Sequence, residues 1–337
     1  MSDTCQYKKL IDLLRGHRVF IQTHNFPDPD ALASAQGLKV FLRAHGIDSV
    51  ICYEGNIEKI STRKMIDKFE IEAFHIQDIH DMTKDDYIVA VDAQKYNSNM
   101  TDFIGDEVAC IDHHPTMIAC YYQYKDIRIV GACATLIAQY FAESGTAMDT
   151  TTATMLLYGI KMDTDSFTRG VTELDIEMFA YLHKLANDRV IRELYNNNME
   201  IEDLHAYGEA IRNIRIYDDI GFANISFDCP DALIAMISDF ILALDVVEFA
   251  VVYAVRDGGL KFSVRNENQK YHAGDLTAKA LKDIGGGGGH YAMAGGMVPA
   301  EYMDELEPDV EGSVRNRFLD AIEEMKKEQE HEVKKDN

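Results

Sequence analysis

Between Phe20 and Leu38 the chain reads FIQTHNFPDPDALASAQGL, which places His24, Asp28 and Asp30 within seven residues, directly after an apolar run. Imidazole nitrogen and carboxylate oxygen are the donors that suit borderline divalent cations. Val19 to Ile21 read as a buried strand. Residues 31–42 read as a helix with Leu32, Ala35, Leu38, Phe41 and Leu42 on one face. The polar cluster then lies in a strand-to-helix turn, at the carboxyl edge of an open sheet, where ligands bind. A plainer reading also fits the segment by itself. Asp30 can serve only as a helix N-cap, and Pro27 and Pro29 can simply stiffen a turn.

Four further segments shift the balance. YIVAVDAQ ends an apolar run at Asp92, and ACIDHHPT ends another at Asp112, His113 and His114. YGIKMDTDSFTRG carries Asp163 and Asp165 after a helical stretch, and GGGGGHYAMAGG carries His290. A carboxylate closing an apolar strand is costly without a partner, so a cation is a natural occupant. A lone strand-end Asp is more often a turn former, and adjacent histidines can be surface residues. His24, Asp28, Asp30, Asp92, His113 and Asp163, however, all fall where a strand or helix enters a loop. In a parallel sheet such loops converge on one edge. Two divalent ions roughly 3.5–4 Å apart can activate a water and stabilise a leaving oxygen in phosphoryl transfer. One carboxylate usually bridges them, and Asp92, at the end of a central strand, is the expected bridge.

Positioning such a set requires alternating elements. Strands are expected at Val19–Thr23, Ser49–Tyr53, Tyr87–Val91, Ala109–Ile111 and Ile127–Val130, and helices at 31–44, 61–69, 132–144 and 150–161. The alternation predicts an α/β fold, a mostly parallel five-stranded sheet with flanking helices. Residues 172–213 are polar and wholly helical in pattern. Strands at 214–217, 221–227, 247–255 and 260–265 follow, with helices at 230–243 and 275–282 and five glycines at 285–289. The expected organisation is a catalytic domain over 1–185, a helical connector over 186–213, a smaller mixed α/β domain over 214–325, and a charged, fraying tail over 326–337.

Composition bounds the function. The 337 residues are 47% hydrophobic and 27% charged, with a formal net charge of −24. That charge disfavours long duplex nucleic acid, whose binding rests on basic phosphate contacts, but it permits a short anion held locally. The most apolar stretch, residues 232–255, is interrupted by Asp239, Asp245 and Glu248, so no membrane span is expected. Six scattered cysteines without a Cys-x-x-Cys pair, and an N-terminus mixing charges into a short amphipathic helix, point to a cytoplasmic protein.

The ordered motifs resemble the DHH phosphoesterase family, named for Asp-His-His. They are His24-x-x-x-Asp28-x-Asp30, Asp92, Asp112-His113-His114 and Asp163. The second domain resembles the family's C-terminal associated domain through Gly287-Gly288-Gly289-His290-Tyr291-Ala292-Met293-Ala294-Gly295. The resemblance implies two divalent ions, Mn2+ first and Mg2+ or Co2+ otherwise. It places His24, Asp28 and Asp92 on one ion and Asp30, Asp92, His113 and Asp163 on the other. Asp112 would orient the histidines, and His114 would contact the scissile phosphate or protonate the leaving group. Arg265, Gly287, Gly288, Gly289 and His290 would hold the nucleotide, Arg265 at a phosphate or base edge. Asp165, Met293 and Asn266 depart from the family pattern close to the substrate residues.

The expected function is a two-metal phosphodiesterase. It would hydrolyse short oligonucleotides or dinucleotides, and also 3′-phosphoadenosine 5′-phosphate, as the oligoribonuclease branch of the family does. The substrate would lie in a cleft between the domains, and a homodimer is compatible. Cyclic-dinucleotide hydrolysis and pyrophosphate or polyphosphate hydrolysis are the alternative activities. Tyr271 or Tyr291 stacking on a base would speak against the last, although both can equally be structural. A nucleotide sensor without activity is disfavoured by the intact ligand set.

Overall fold

The computed structural model describes residues 6–57, 59–196, 199–268 and 270–333. The chain divides into two compact units, Met1–Asn198 and Met199–Asn337. The first contains α1 (Gln6–Leu14), β1 (Val19–Gln22), α2 (Pro29–Ala44), β2 (Ser49–Tyr53), α3 (Ile60–Phe69), β3 (Ala73–His75), β4 (Tyr87–Val91), β5 (Asp106–Asp112), β6 (Tyr124–Ile127), α4 (Cys133–Ser144), α5 (Thr150–Asp163), α6 (Glu173–His183) and α7 (Asp188–Tyr195).

Its sheet has six parallel strands in the order β3-β2-β1-β4-β5-β6. From β1 the chain steps outward through β2 and β3, then returns to β4 on the other side of β1. The β1/β4 boundary is therefore the switch point, where a crevice opens at the carboxyl ends of the strands. Strands buried on both faces read as continuous apolar runs. Val19 and Ile21 of β1 pack with Leu32, Leu38 and Phe41 of α2 and with residues of α4 and α5, whereas Phe20 packs with Ile88, Met82 and Phe103 on the other face.

Two strand expectations are corrected. The sheet has six strands, not five. β3 escaped notice because it is three residues long and Ala73, Phe74 and His75 are all partly or fully exposed. β6 runs Tyr124–Ile127 rather than Ile127–Val130. The buried Asp126, bonded by Arg128 at 2.6 Å and by the Tyr140 hydroxyl at 2.8 Å, hides that strand from an apolar pattern.

The second unit contains α8 (Asp203–Asn213), β7 (Arg215–Tyr217), β8 (Ile220–Asp228), α9 (Asp231–Leu242), β9 (Phe249–Arg256), β10 (Gly259–Asn266), α10 (Ala273–Ala280), β11 (Gly286–Gly289), β12 (Met293–Val298) and α11 (Val310–Val333). Its mixed sheet has the order β11-β12-β10-β9-β8-β7, with only β8 and β9 parallel. Helices α8 and α9 cover one face, and α10 and α11 cover the other. Helix α11 includes the charged segment after Glu323 as far as Val333, and residues 334–337 lie outside the described residues. The last four residues of the glycine run form the edge strand β11. Gly287 faces α10, where an added Cβ would lie 2.6 Å from Thr277 Cγ2, and an added Cβ on Gly274 of α10 would lie 2.4 Å from the Gly289 carbonyl. The absent side chains let helix and edge strand meet backbone to backbone.

Candidate active site

Both sides of the switch point deliver donors. His24 follows β1, Asp92 follows β4, and Asp112, His113 and His114 close β5. Asp163 is the last residue of α5. Three overlapping groups result, each with donor atoms mutually within 4.8 Å: His24, Asp28 and Asp92; Asp30, His113 and Asp163; and Asp92, Asp112, His113 and His114.

Asp92 lies between the first two. Its Oδ2 is 3.7 Å from His24 Nε2, and its Oδ1 is 3.3 Å from His113 Nε2. Asp92 is 3% exposed, its Oδ1 accepts no hydrogen bond among the described residues, and its backbone holds φ 57. Left-handed backbone at a non-glycine residue is uncommon, and a buried carboxylate oxygen without a hydrogen bond is costly.

The imidazoles are fixed from behind. His24 Nδ1 donates to the Asn25 carbonyl at 2.7 Å, and His113 Nδ1 donates to the Val130 carbonyl at 3.0 Å. Since carbonyls only accept, both Nδ1 atoms carry protons and both Nε2 atoms face carboxylates. His113 Nε2 lies 3.3 Å from Asp163 Oδ2. The nearby backbone donors also use the carboxylates. Asp28 caps α2, accepting from the Asp30 and Ala31 amides. Asp30, 1% exposed, accepts from the Cys133 and Ala134 amides at the start of α4, at 2.7 and 3.0 Å. Both caps leave lone pairs for a cation.

The electrostatics reflect crowding. Burial and the neighbouring Asp92 and Asp163 carboxylates push Asp30 well above the usual carboxylate range. Burial also raises Asp163, against the pull of His113. Burial disfavours the His24 cation, but Asp28 and Asp92 outweigh it and carry His24 up to about 9. The Asp92, Asp30 and Asp163 carboxylates likewise outweigh burial at His113, raising it to about 11. Carboxylates this crowded call for positive charge. Their oxygens and the two Nε2 atoms form a donor set that fits divalent cations.

Asp112 has a different place. It is fully buried, and its Oδ1 accepts from the His113 amide at 2.8 Å and pairs with His114 Nδ1 at 2.9 Å. Its Oδ2 accepts from Gln94 Nε2 at 2.6 Å, and the same Nε2 bonds the His114 carbonyl at 3.0 Å. His114 is thereby held with its Nε2 free of this network. The Asp112 hydrogen bond raises the His114 imidazole above its ordinary value. After Asp163 the chain makes a left-handed turn, with φ 46, 55 and 71 at Asp165, Ser166 and Phe167. The turn returns Arg169 to Asp163, where Nη2 donates to the carbonyl at 2.6 Å.

The remaining expected site residues lie in the second unit. Arg265, on β10, pairs with Asp239 at 2.5 Å and donates to Ser263 Oγ at 3.0 Å. The sheet register sets Ser263 beside Gly295 and Gly295 beside Gly288. A Cβ on Gly288 would meet nothing within 4 Å, so bare backbone extends from the Arg265 side of the sheet. Gly287 faces Thr277, and an added Cβ on Gly289 would lie 2.5 Å from the Met293 carbonyl of β12. His290 is exposed, and its amide donates to the Met293 carbonyl at 2.8 Å. Asn266 is structural: it is buried, and its Nδ2 ties the carbonyls of Tyr271 and Tyr291 at 2.7 and 3.2 Å. Tyr271 is a core residue, whereas Tyr291 is 42% exposed. The N-cap of α2 is Asp28 rather than Asp30, and Gln94, Arg169 and the bonds of Asp30 to the start of α4 were missed in the sequence, because each acts on a partner distant along the chain or on backbone groups that no side-chain pattern shows.

Residues 18–160 match the DHH family, N-terminal domain, and residues 221–327 match the DHHA1 domain. The uncharacterized protein MJ1633 of Methanocaldococcus jannaschii is 29% identical over 313 residues, 90% of this chain and 64% of its own length. The cyclic-di-AMP phosphodiesterase GdpP of Geobacillus thermodenitrificans is 22% identical over 332 residues, 91% of this chain and 48% of its own. The chain thus spans less than two thirds of either relative. Among solved structures, an exopolyphosphatase-related protein from Bacteroides fragilis superposes with a TM-score of 0.73 at 17% identity, covering 95% of this chain and 99% of that one. RecJ from Thermus thermophilus, in complex with Mn2+, gives 0.53 at 14% identity over 93% of this chain and 54% of its own. These two likenesses show a shared fold. With both family domains matched in order and the Asp-His-His cluster assembled at the switch point, the chain belongs to the DHH family.

Proposed function

We propose that the chain is a phosphoesterase, a manganese-dependent phosphodiesterase that hydrolyses dinucleotides or short oligonucleotides to mononucleotides. The observation that carries the reading is Asp92, which presents one carboxylate oxygen to each of two ligand groups. In this reading His24, Asp28 and Asp92 hold one ion, and Asp30, Asp92, His113 and Asp163 hold the other. Two bound divalent ions would supply positive charge against the phosphate and lower the cost of deprotonating the attacking water. Asp112 and Gln94 hold the His114 ring so that its Nε2 meets the scissile phosphate or gives a proton to the leaving oxygen. Arg265, Gly288 and His290, all in the second unit, would contribute nucleotide contacts through a guanidinium and open backbone. The oxygen and imidazole donors suit manganese, and the RecJ of similar fold holds Mn2+.

A second reading within the same chemistry is hydrolysis of cyclic dinucleotides, supported by the likeness to GdpP. The discriminating experiment is turnover, with manganese, of a diribonucleotide, a cyclic dinucleotide, 3′-phosphoadenosine 5′-phosphate and pyrophosphate. Fastest cleavage of the linear dinucleotide is expected. Cleavage of pyrophosphate alone would refute the reading.

A further inference from the structure

Phe26 stands between two of the metal-ligand residues, His24 and Asp28, and its side chain has no place in a core. It is 57% exposed and belongs to none of the hydrophobic clusters among the described residues. Its backbone lies at φ 61, a region that bulky L-residues avoid. The position is nevertheless firmly held. The Phe26 amide donates to the Glu54 carbonyl at 3.1 Å, and the neighbouring Asn25 bonds the Asn99 carbonyl through its amide at 2.7 Å and Thr101 Oγ1 through its side chain at 3.0 Å. Behind the ring is Gly55, at φ 80, where a Cβ would lie 2.9 Å from both Phe26 Cδ1 and Cε1. Glycine at 55 gives the ring a flat backbone to rest on, while its edge and outer face remain in solvent. Strain of this kind persists where the surroundings over-determine it, and it concentrates at ligand clamps.

We infer that Phe26 is a stacking platform for a nucleobase of the substrate whose phosphate lies on the adjacent carboxylate–histidine cluster, which makes the site selective for nucleotides over inorganic pyrophosphate or polyphosphate. This rests on the proposed phosphodiesterase reading and adds the recognition element to it. An aromatic face receives any base, because every base has a π-face, so the platform fits short nucleotides of mixed sequence. The ring touches no reacting atom. Its contribution is to fix the nucleotide beside the cluster, and its loss penalises only substrates that have a base to stack.

The test compares a diribonucleotide with the analogue lacking the base on the cluster side, using the manganese-loaded full chain. Phe26→Asn removes the ring while retaining a residue that tolerates left-handed backbone. The ratio of kcat/KM for the dinucleotide to that for the abasic analogue is expected to fall about 5- to 100-fold, the range of a lost base–aromatic stack, and Phe26→Tyr is expected to restore it. The chain has no tryptophan, so Phe26→Trp supplies a unique fluorophore that decides the matter even if Phe26→Asn fails to fold. A non-hydrolysable dinucleotide should quench its emission, whereas saturating pyrophosphate should not. A wild-type ratio in folded Phe26→Asn, or equal quenching by pyrophosphate, would overturn the stacking role while leaving the phosphodiesterase reading intact. A wild-type protein that cleaves pyrophosphate and no dinucleotide would overturn both.

Discussion

Asp92 ends an apolar strand, adopts left-handed backbone and leaves a buried oxygen without a hydrogen bond. Each feature costs stability, and cations held by the two ligand groups that Asp92 joins would offset all three. Asp92→Asn should therefore lower kcat/KM by about a hundredfold or more, and by more than Asp28→Asn, because it removes an anionic oxygen from both groups. An equal or smaller loss, in steady-state kinetics of the two variants, would assign the bridge elsewhere. Protonation gives a second check. His24 is raised to about 9 and His113 to about 11 by the surrounding carboxylates, so both hold a proton at pH 7 in the metal-free protein. A cation must displace those protons, so affinity should rise between pH 7 and 9 with protons released. Calorimetry in buffers of different ionisation heat reads that release, and proton-neutral binding would contradict it. The ligand candidates were legible because carboxylates and histidines at the ends of apolar runs are conspicuous. Gln94 was not, since a glutamine after a strand reads as ordinary loop and its partner Asp112 lies 18 residues away.

At the scale of elements, the sheet order brings β1 and β4 together and opens the crevice between them, and the helices are tied into the same site. Asp28 caps α2, and Asp30 supplies the start of α4 with the acceptor that its own N-cap residue, Ala132, lacks. The positive ends of two helices thus face the carboxylates. In the second unit the glycines divide into two roles. Gly287→Ala would set a methyl against Thr277 and should destabilise by about 1–3 kcal/mol. Gly288→Ala points into open space and should stay within about 1 kcal/mol of wild type, while raising KM for dinucleotides. Denaturant unfolding of both variants checks the first part, and equal destabilisation would refute the division. The alternation of strands and helices was legible because parallel strands are apolar throughout. β3 and β6 were not, one being short and largely exposed, the other holding a buried carboxylate, Asp126, that pairs with Arg128. The glycine strand was also hidden, because residues without side chains carry no pattern of inside and outside.

At the scale of the whole molecule, each unit has its own core, and the proposal assigns chemistry to the first and substrate retention to the second. Arg265→Ala and His290→Ala should then lower kcat/KM for a dinucleotide about ten- to a hundredfold, as expected for a lost charge-assisted contact. The same variants should hydrolyse bis-(p-nitrophenyl) phosphate nearly normally, whereas Asp163→Ala should abolish both activities. Equal damage to the generic diester by His290→Ala would move the glycine strand into the catalytic centre. The net charge of −24 sharpens the requirement for bound cations, since an anionic phosphate must approach a cluster of carboxylates on an acidic chain. The most direct measurement is therefore the rate of diribonucleotide hydrolysis by protein stripped with a chelator, dialysed and titrated with manganese. The account predicts no turnover in the stripped protein and recovery that saturates as two equivalents of manganese are bound. Full turnover in the presence of the chelator would contradict it.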